Sequence, residues 1–205
     1  VASPYIVWSA IFIIVPLVIM FYFALTDNNG VFTLANITAI GKYKKAFGIS
    51  ILYAAVSTVI TLLLAYPMAY FMTKLKISSQ RMLFMIVMIP MWMNFLIRTY
   101  SWITILSNTG LINTFLQKIG LIDKPIKLLL TPGAVILGMV YDYIPYMILP
   151  IYSVMSKLDK SLLEAAEDLG SNSFTKFKRV IFPLTKPGVI SGITMVFVPS
   201  VSTFY

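Results

Sequence analysis

Cysteine and histidine are both missing from this chain of 205 residues. Without cysteine there is no disulfide, no thiolate metal ligand and no cysteine nucleophile. Without histidine the chain also lacks the usual general base and a common ligand of transition metals. An active site would have to depend on seven carboxylates and on hydroxyl groups, so we expect no catalytic residue and no metal site here.

Charged residues are scarce as well, at 11% of the chain, while apolar residues make up 59% and the mean hydropathy is +0.89. A soluble domain of this size must cover its surface with polar side chains, so the composition predicts a membrane protein in a lipid bilayer. The net charge of +9 does not indicate nucleic acid as a partner, because the basic residues fall almost wholly in short loops between apolar segments.

Five apolar segments are long enough to cross the hydrocarbon core as helices, which predicts an all-α membrane protein. The predicted spans cover residues 4–25, 50–73, 82–106, 131–155 and 188–205. The first is too long for a signal-peptide core and lacks a basic leader, so we expect it to be retained. The chain starts without Met and stops within an apolar run, and we interpret residues 1–205 as a single transmembrane domain truncated at both ends.

Lysine and arginine in the loops indicate the orientation of the spans, because cytoplasmic loops are richer in both. The loops after the second and fourth spans hold nine basic residues, and the loops after the first and third hold six. This bias places the N-terminus and residues 161–188 in the cytoplasm, with residues 27–47 and 107–130 outside.

The polar stretch between the last two spans reads SLLEAAEDLGSNSFTKFKRVIFPLTKPG. Ser161 and Glu164 have the spacing of a helix capping box, and Gly170 suits a left-handed helix stop. A second helix is predicted over residues 173–182, ending at Pro183. Its apolar face is formed by Phe174, Phe177 and Ile181. Such a pair of helices either docks on a partner protein or lies along the membrane surface, and the residues alone leave both alternatives open.

Arg98 and Asp142 are the ionisable side chains that lie well inside the predicted spans, where such groups are functional candidates. Counted at 1.5 Å per residue from the outer end of its span, Asp142 lies about 16 Å deep, near the midplane. A carboxylate among aromatic rings suits an alkylammonium substrate. The aromatic residues of this candidate path are Tyr141, Tyr143, Trp92, Tyr100 and Trp102. The alternative is a structural ion pair between Arg98 and Asp142, with the aromatic residues serving as interfacial belts.

The polar stretch resembles the EAA loop of ABC-importer permeases. The family pattern is EAA, three residues, Gly, nine residues, Ile, any residue and Leu-Pro. This chain follows the pattern with Val180 in place of Ile and Phe182 in place of Leu. The resemblance implies that residues 157–187 form a cytoplasmic coupling loop that docks on an ATPase subunit. The coupling residues it implies are Glu164, Ala165, Ala166, Gly170 and Pro183.

Four further segments resemble the spermidine/putrescine permeases, specifically the first of their two membrane subunits. They read FTLANITAIGKYKKAF from Phe32, AYPMAYFMTK from Ala65, IPMWMNFLIRTYSWITIL from Ile89 and VYDYIPYMILPIYSVMSKLD from Val140. The resemblance implies the type I ABC-importer permease fold (MetI-like), with six transmembrane helices in the full protein and about five here. It also implies a location in the cytoplasmic (inner) membrane.

The same resemblance implies a heterodimer with a second permease subunit, two cytoplasmic ATPase subunits and an extracellular polyamine-binding protein. No cofactor is expected in this chain, whereas ATP and Mg are expected in the partner ATPase. The expected function is polyamine import by alternating access, driven by ATP hydrolysis in that separate subunit. An anion or a metal chelate is an alternative cargo for the same importer class, and a membrane scaffold with a non-ATPase partner is an alternative function.

Overall fold

The computed structural model describes residues 3–27 and 30–203 of the chain. In these residues the backbone is helical except for turns, short connections and an isolated antiparallel bridge between Thr26 and Phe32. The predicted all-α fold is therefore confirmed.

Contacts divide the described chain into two units, one ending at Ile49 and the other beginning at Ser50. The interpretation as one domain stays a prediction. The first unit contains α1 (Ser3–Ser9), a π-helical turn (Ala10–Ile14), α2 (Val15–Ala24), α3 (Ala35–Ala39), a 3₁₀ turn (Ile40–Tyr43) and the start of α4 (Lys44–Thr73). No side chain of α2 is buried, as is usual for an apolar helix that is surrounded by lipid.

The second unit continues α4 and is built around α8. In chain order it adds α5 (Ile77–Trp92), α6 (Phe95–Leu106), α7 (Leu111–Lys118), α8 (Pro132–Met155), α9 (Lys160–Asp168), α10 (Ser173–Lys176), a π-helical turn (Phe177–Ile181) and α11 (Phe182–Ser202). Helix α8 packs against α11 and α5, and α6 packs against α7. The core combines side chains of α4, α8 and α11, including Ala65, Tyr66, Met147, Ile151, Val189 and Val196.

Two glycines allow α11 to approach α8 closely. A Cβ atom at Gly188 would lie 2.8 Å from the carbonyl oxygen of Pro150, and one at Gly192 would lie 2.7 Å from the sulfur of Met147. Small residues at such crossings permit tight packing in membranes, where the hydrophobic effect does not drive helices together. Helices α8 and α11 are therefore a tightly packed pair, and the polar stretch connects them.

Among the described residues, four helical runs are long and apolar enough to cross a membrane, and counting one bent helix pair as a span gives five. The straight runs are Pro4–Ala24, Ala35–Thr73, Pro132–Met155 and Ser173–Ser202. The first, second and fourth predicted spans are confirmed, although the second helical run begins earlier than expected. The last span also begins earlier, and its predicted final residues, Phe204 and Tyr205, lie outside the described residues.

The third predicted span, residues 82–106, is wrong as a continuous helix. The chain breaks at Met93 and Asn94, where ψ is 143° and 132°, and the bent pair of helices turns through 94°. Asn94 caps α6, because its side-chain oxygen accepts the Leu96 N–H at 2.8 Å. Asparagine at this position favours the start of a new helix over the continuation of the old one.

Candidate functional site

The polar hairpin consists of α9, α10 and the turn between them, and it lies between α8 and α11. Asp159 caps α9, since its side-chain oxygen accepts the Ser161 N–H at 2.9 Å. The predicted capping box of Ser161 and Glu164 is therefore wrong. Asp159 is an equally good cap and comes first in the chain, so the helix starts there. Hydrogen bonds from the backbone and side chain of Ser161 hold the pKa of the Asp159 carboxyl below its usual value.

The turn of the polar hairpin is built on Gly170, whose φ angle is +77°. The Gly170 N–H donates to the Glu167 carbonyl at 2.8 Å, and the Ser171 N–H donates to the Ala166 carbonyl at 3.0 Å. These two bonds with a left-handed glycine form a Schellman motif. The predicted helix stop at Gly170 is confirmed.

The second arm of the polar hairpin begins immediately after this turn. The side-chain oxygen of Asn172 accepts the Thr175 N–H at 2.7 Å and caps α10. Lys176 forms an ion pair with Glu167 of α9, which joins the two arms. The stretch is therefore an ordered hairpin rather than a linker.

The prediction that Pro183 ends the second helix is wrong. Helix α10 continues through the π turn into α11, and the whole run is helical from Ser173 to Ser202. Pro183 occupies the first turn of α11, where proline is tolerated. The π turn bonds each carbonyl to the fifth following residue, as in the bond from the Phe182 N–H to the Phe177 carbonyl.

The predicted coupling residues have different surroundings. Glu164, Ala165 and Pro183 are exposed, whereas Ala166 is buried on the inner side of α9. The predicted apolar face of the second helix is also divided. Phe174 is 72% exposed, while Ile181 is buried and Phe177 packs against the core. The outward surface of the polar hairpin thus carries Ala165, Leu169 and Phe174, whereas Glu164 lines a cavity.

A cavity of about 1060 Å³ lies on the inner side of α9. Its lining residues come from the end of α4, the start of α5 and the turn between them, from the end of α8 and the connection after it, and from α9, α10 and the π turn. The charged residues among them are Lys74, Lys76, Glu164, Glu167 and Lys176. Both signs of charge are therefore present in the cavity.

Arg98 and Asp142 form an ion pair, with 2.9 Å between Arg98 Nε and Asp142 Oδ1. The Arg98 Nη1 atom also donates to the Pro90 carbonyl at 3.0 Å. The exposed fractions of the side chains are only 15% for Arg98 and 9% for Asp142. The ion pair expected as one alternative therefore exists in this structure, and the role of Asp142 toward a substrate stays a prediction.

The five predicted path aromatics have different surroundings. Tyr141 and Tyr143 flank Asp142 in the sequence of α8. The ring of Trp102 packs edge-on against that of Tyr141, with centroids 5.3 Å apart, and the Tyr143 hydroxyl lies 2.6 Å from the Thr203 hydroxyl oxygen. Trp92 and Tyr100 are 89% and 67% exposed. The structure thus brings Trp102 to Tyr141 beside Asp142 and leaves Trp92 and Tyr100 exposed.

Sequence reasoning missed two polar links between helices. The Tyr66 hydroxyl of α4 lies 2.8 Å from the Thr185 hydroxyl of α11. The Tyr152 hydroxyl of α8 donates to Gln80 of α5 at 2.8 Å, and Gln80 donates to the Leu75 carbonyl in the turn between α4 and α5. The paired side chains are 119 and 72 residues apart, so no local pattern indicates either link.

Comparison with known proteins identifies relatives over nearly the whole chain. The family model described as "Binding-protein-dependent transport system inner membrane component" matches residues 57–205. The spermidine/putrescine transport system permease protein PotB of Escherichia coli K12 is 40% identical over 206 residues, covering 97% of this chain and 75% of that protein. The PotB protein of Haemophilus influenzae is 39% identical, covering 97% of this chain and 72% of its own length.

A more distant relative is the inner membrane ABC transporter permease protein YdcU of Escherichia coli K12. It is 33% identical over 152 residues, covering 68% of this chain and 48% of that protein. The match to the PotB proteins is therefore both longer and closer than the match to this other permease.

Proposed function

Because this chain belongs to the family of binding-protein-dependent transport system inner membrane components, we propose that it is a permease subunit of an ATP-driven polyamine importer. The observation that carries the proposal is the 40% identity to a spermidine/putrescine permease over 97% of the chain. The substrate class is spermidine and putrescine, which are flexible cationic chains. Transport proceeds by alternating access, and this chain forms part of the path.

The outward surface of the polar hairpin supports coupling to a soluble partner. Leu169 and Phe174 are 87% and 72% exposed, and they flank a turn fixed by hydrogen bonds. Large apolar side chains exposed on an ordered polar hairpin favour binding to a protein. The partner is a pair of cytoplasmic ATPase subunits, which hold ATP and Mg and carry out the hydrolysis. The coupling residues are Glu164, Ala165, Ala166, Gly170 and Pro183.

Helical continuity explains how docking at the hairpin could act within the membrane. The run from Ser173 to Ser202 has no break, so a displacement of α10 is passed to α11. Helix α11 is packed against α8 through Gly188 and Gly192, and α8 carries Asp142. A displacement of the polar hairpin is therefore transmitted to the candidate path through the tightly packed helices α11 and α8.

The candidate path is centred on Asp142, with Tyr141, Tyr143 and Trp102 around it. An approaching ammonium group is a second cation for Asp142, besides Arg98. The aromatic faces pack against the methylene chain of the substrate and stabilise the positive charge of its ammonium groups. Trp92 and Tyr100 are part of the proposed path, where they lie on exposed surfaces that a second permease subunit covers. An extracellular polyamine-binding protein delivers the substrate to this heterodimer.

The ion pair does not by itself decide between an anionic and a cationic cargo. Arg98 contacts Asp142 and donates to the Pro90 carbonyl, and the pair balances both charges. The preference for a polyamine over the alternative anion rests on the identity to the spermidine/putrescine permeases.

The test is uptake of radiolabelled spermidine by the assembled complex in proteoliposomes, with putrescine, molybdate and a ferric chelate as competitors. We expect ATP-dependent uptake, competition by putrescine only, and co-purification of an ATPase with the permease. If molybdate or the ferric chelate blocks the uptake of spermidine, that solute replaces the polyamine as the proposed substrate. Failure of any ATPase to co-purify would overturn the importer function and favour a scaffold.

A further inference from the structure

A π-helical turn, Phe177–Ile181, separates the polar hairpin from α11. Single π turns of this kind within helices are frequent at functional sites. A displacement of the hairpin must pass through this turn to reach α11. If the turn can rewind freely, it absorbs the displacement instead of transmitting it.

Thr185 secures the turn at its C-terminal side. Its side chain is fully buried, with 0% exposed, and its hydroxyl oxygen lies 2.9 Å from the Ile181 carbonyl and 3.1 Å from the Phe182 carbonyl. The hydroxyl of Tyr66 lies 2.8 Å from that of Thr185, so the two side chains form a hydrogen bond in which either hydroxyl can donate.

Phe177 secures the turn at its N-terminal side. Its ring packs edge-on against Tyr66, with centroids 5.7 Å apart and an angle of 85° between the planes. It also packs edge-on against Tyr70, one helical turn further along α4, at 6.1 Å and 77°. Tyr66 thus contacts the turn at both sides, through its ring at Phe177 and through its hydroxyl at Thr185.

A second π turn among the described residues provides a comparison. Among its residues, Ala10–Ile14, none is buried, whereas Phe177–Ile181 includes the buried Ile181 and is held by α4. Both turns precede a proline in the first turn of the next α-helix. A following proline is common to both turns, so it does not account for the contacts that hold the second one.

We propose that Tyr66 is a positioning residue for transport, which clamps the π turn through Thr185 and Phe177 so that movement of the polar hairpin reaches α11 and α4. The inference rests on the proposed function, because it requires an ATPase that moves the hairpin. Loss of the Tyr66 hydroxyl leaves Thr185 bonded to the backbone and the ring contacts intact. The variant should therefore fold, while the turn becomes free to absorb part of the movement.

The experiment compares Tyr66→Phe with Tyr70→Phe in the complete permease–ATPase complex in proteoliposomes. The two changes are matched, since each removes one hydroxyl from a tyrosine that packs on Phe177. In the part of the chain that the structure describes, the Tyr70 hydroxyl has no hydrogen-bond partner. The measurements are spermidine uptake, ATP hydrolysis and the thermal midpoint of the complex.

We expect Tyr66→Phe to lower the uptake per ATP hydrolysed roughly fivefold, the factor that corresponds to a hydrogen bond of about 1 kcal/mol. Tyr70→Phe should keep the wild-type ratio. Thr185→Ser retains the hydroxyl and should also show the wild-type ratio of uptake to hydrolysis. The double variant Tyr66→Phe/Thr185→Val should lower the ratio at least as much as Tyr66→Phe, because it also removes the bonds from Thr185 to the Ile181 and Phe182 carbonyls.

Two results would overturn the inference. One is a wild-type ratio of uptake to hydrolysis in Tyr66→Phe. The other is a parallel loss of uptake, hydrolysis and thermal midpoint, which marks a merely structural residue. Absence of polyamine uptake, or of a bound ATPase, in the wild-type complex would instead overturn the proposed function. Uptake and ATPase binding of the wild type are therefore measured before the variants are compared.

Discussion

Arg98 connects three helices through one side chain. It lies in α6, contacts Asp142 of α8, and donates to the Pro90 carbonyl in the last turn of α5. The final carbonyls of a helix have no partner within that helix, and in hydrocarbon no water is available to serve them. Arg98 satisfies one of these carbonyls at the break in the third span, and Asp142 balances its charge. The bend and the ion pair are therefore parts of one arrangement.

The substitution Asp142→Asn tests this arrangement. It leaves the buried guanidinium of Arg98 without a counter-charge, which costs about 3 to 5 kcal/mol, so we expect poor assembly of the complex. Arg98→Leu in the same chain should restore assembly, measured by size-exclusion chromatography in detergent.

Uptake by that double variant separates the two roles of Asp142. If Asp142 also meets the substrate, assembly returns but spermidine uptake stays low. Recovery of both would remove Asp142 from the path and place the cation site on the second permease subunit. Asp142→Asn that assembles as well as wild type would contradict the structural importance of the ion pair.

A second prediction concerns the cap of α9. Asp159→Ala removes the oxygen that accepts the Ser161 N–H, so the first turn of the hairpin should fray and uptake should fall. Asp159→Asn keeps an acceptor and serves as the matched control, with uptake near wild type. The measurement is uptake at equal membrane content of the subunit, and equal activity of the two variants would show that the cap is unimportant.

The pKa of Asp159 sets the pH range in which this cap is charged. Because the folded-state pKa is lowered, the charged form stabilises the helix above the unfolded-state pKa. This stabilisation is lost only as the pH falls through the lower, folded-state value. Near neutral pH the cap is therefore fully ionised, and transport should not titrate through Asp159.

At the scale of elements, the polar hairpin is a rigid connection rather than a loop. A Schellman turn, two side-chain caps and an ion pair fix its two arms. Its second arm then continues into α11 without a break. An element of this kind passes on a displacement, whereas a flexible loop would lose it in backbone rotations.

Gly170 allows a direct test of that rigidity. Gly170→Pro cannot reach the φ of +77° and removes the N–H that bonds the Glu167 carbonyl, so uptake should be abolished. Gly170→Asn should retain most uptake, because asparagine tolerates the left-handed conformation better than other side chains. Insertion of both variants into the membrane is checked by immunoblot. Wild-type uptake by Gly170→Pro would contradict the role of the turn.

At the scale of the whole molecule, the distribution of charge indicates how the chain is oriented. Sixteen basic and seven acidic residues give the net charge of +9. Lys74 and Lys76 lie in the turn between α4 and α5, and several more basic residues lie at the polar hairpin and the π turn. Basic residues favour the cytoplasmic side, which is also the side that an ATPase partner requires.

Single-cysteine labelling tests this orientation, and the chain has no cysteine of its own to interfere. We expect Thr109→Cys, in the connection between α6 and α7, to react with a membrane-impermeant maleimide in intact cells. Ser171→Cys should react only after the membrane is opened. Neither side chain forms a hydrogen bond within the described residues. Labelling of Ser171→Cys in intact cells at the level of Thr109→Cys would reverse the orientation and remove the basis for ATPase docking.

The sequence by itself determined the class of the protein, most of its spans and the stop at Gly170. Apolar runs of about 20 residues can satisfy their backbone only as membrane helices, so their length and composition suffice to predict them. A left-handed turn likewise depends on a glycine at a particular position. The family resemblance rests on residues that can be read in order along the chain, and the relatives confirmed it.

Only the tertiary structure decided which side chains meet. The sequence predicted a straight third span, because a single Asn94 within an apolar run is a weak signal for a break. The break is supported by a tertiary contact, in which Arg98 donates to the Pro90 carbonyl. The sequence also predicted that a helix ends at Pro183. The π turn before this proline is held by Tyr66, which contacts Thr185 from a position 119 residues away, and no local pattern indicates such a contact. Contacts over such separations depend on how helices pack, and packing responds to the shapes of all neighbouring side chains at once rather than to any local pattern.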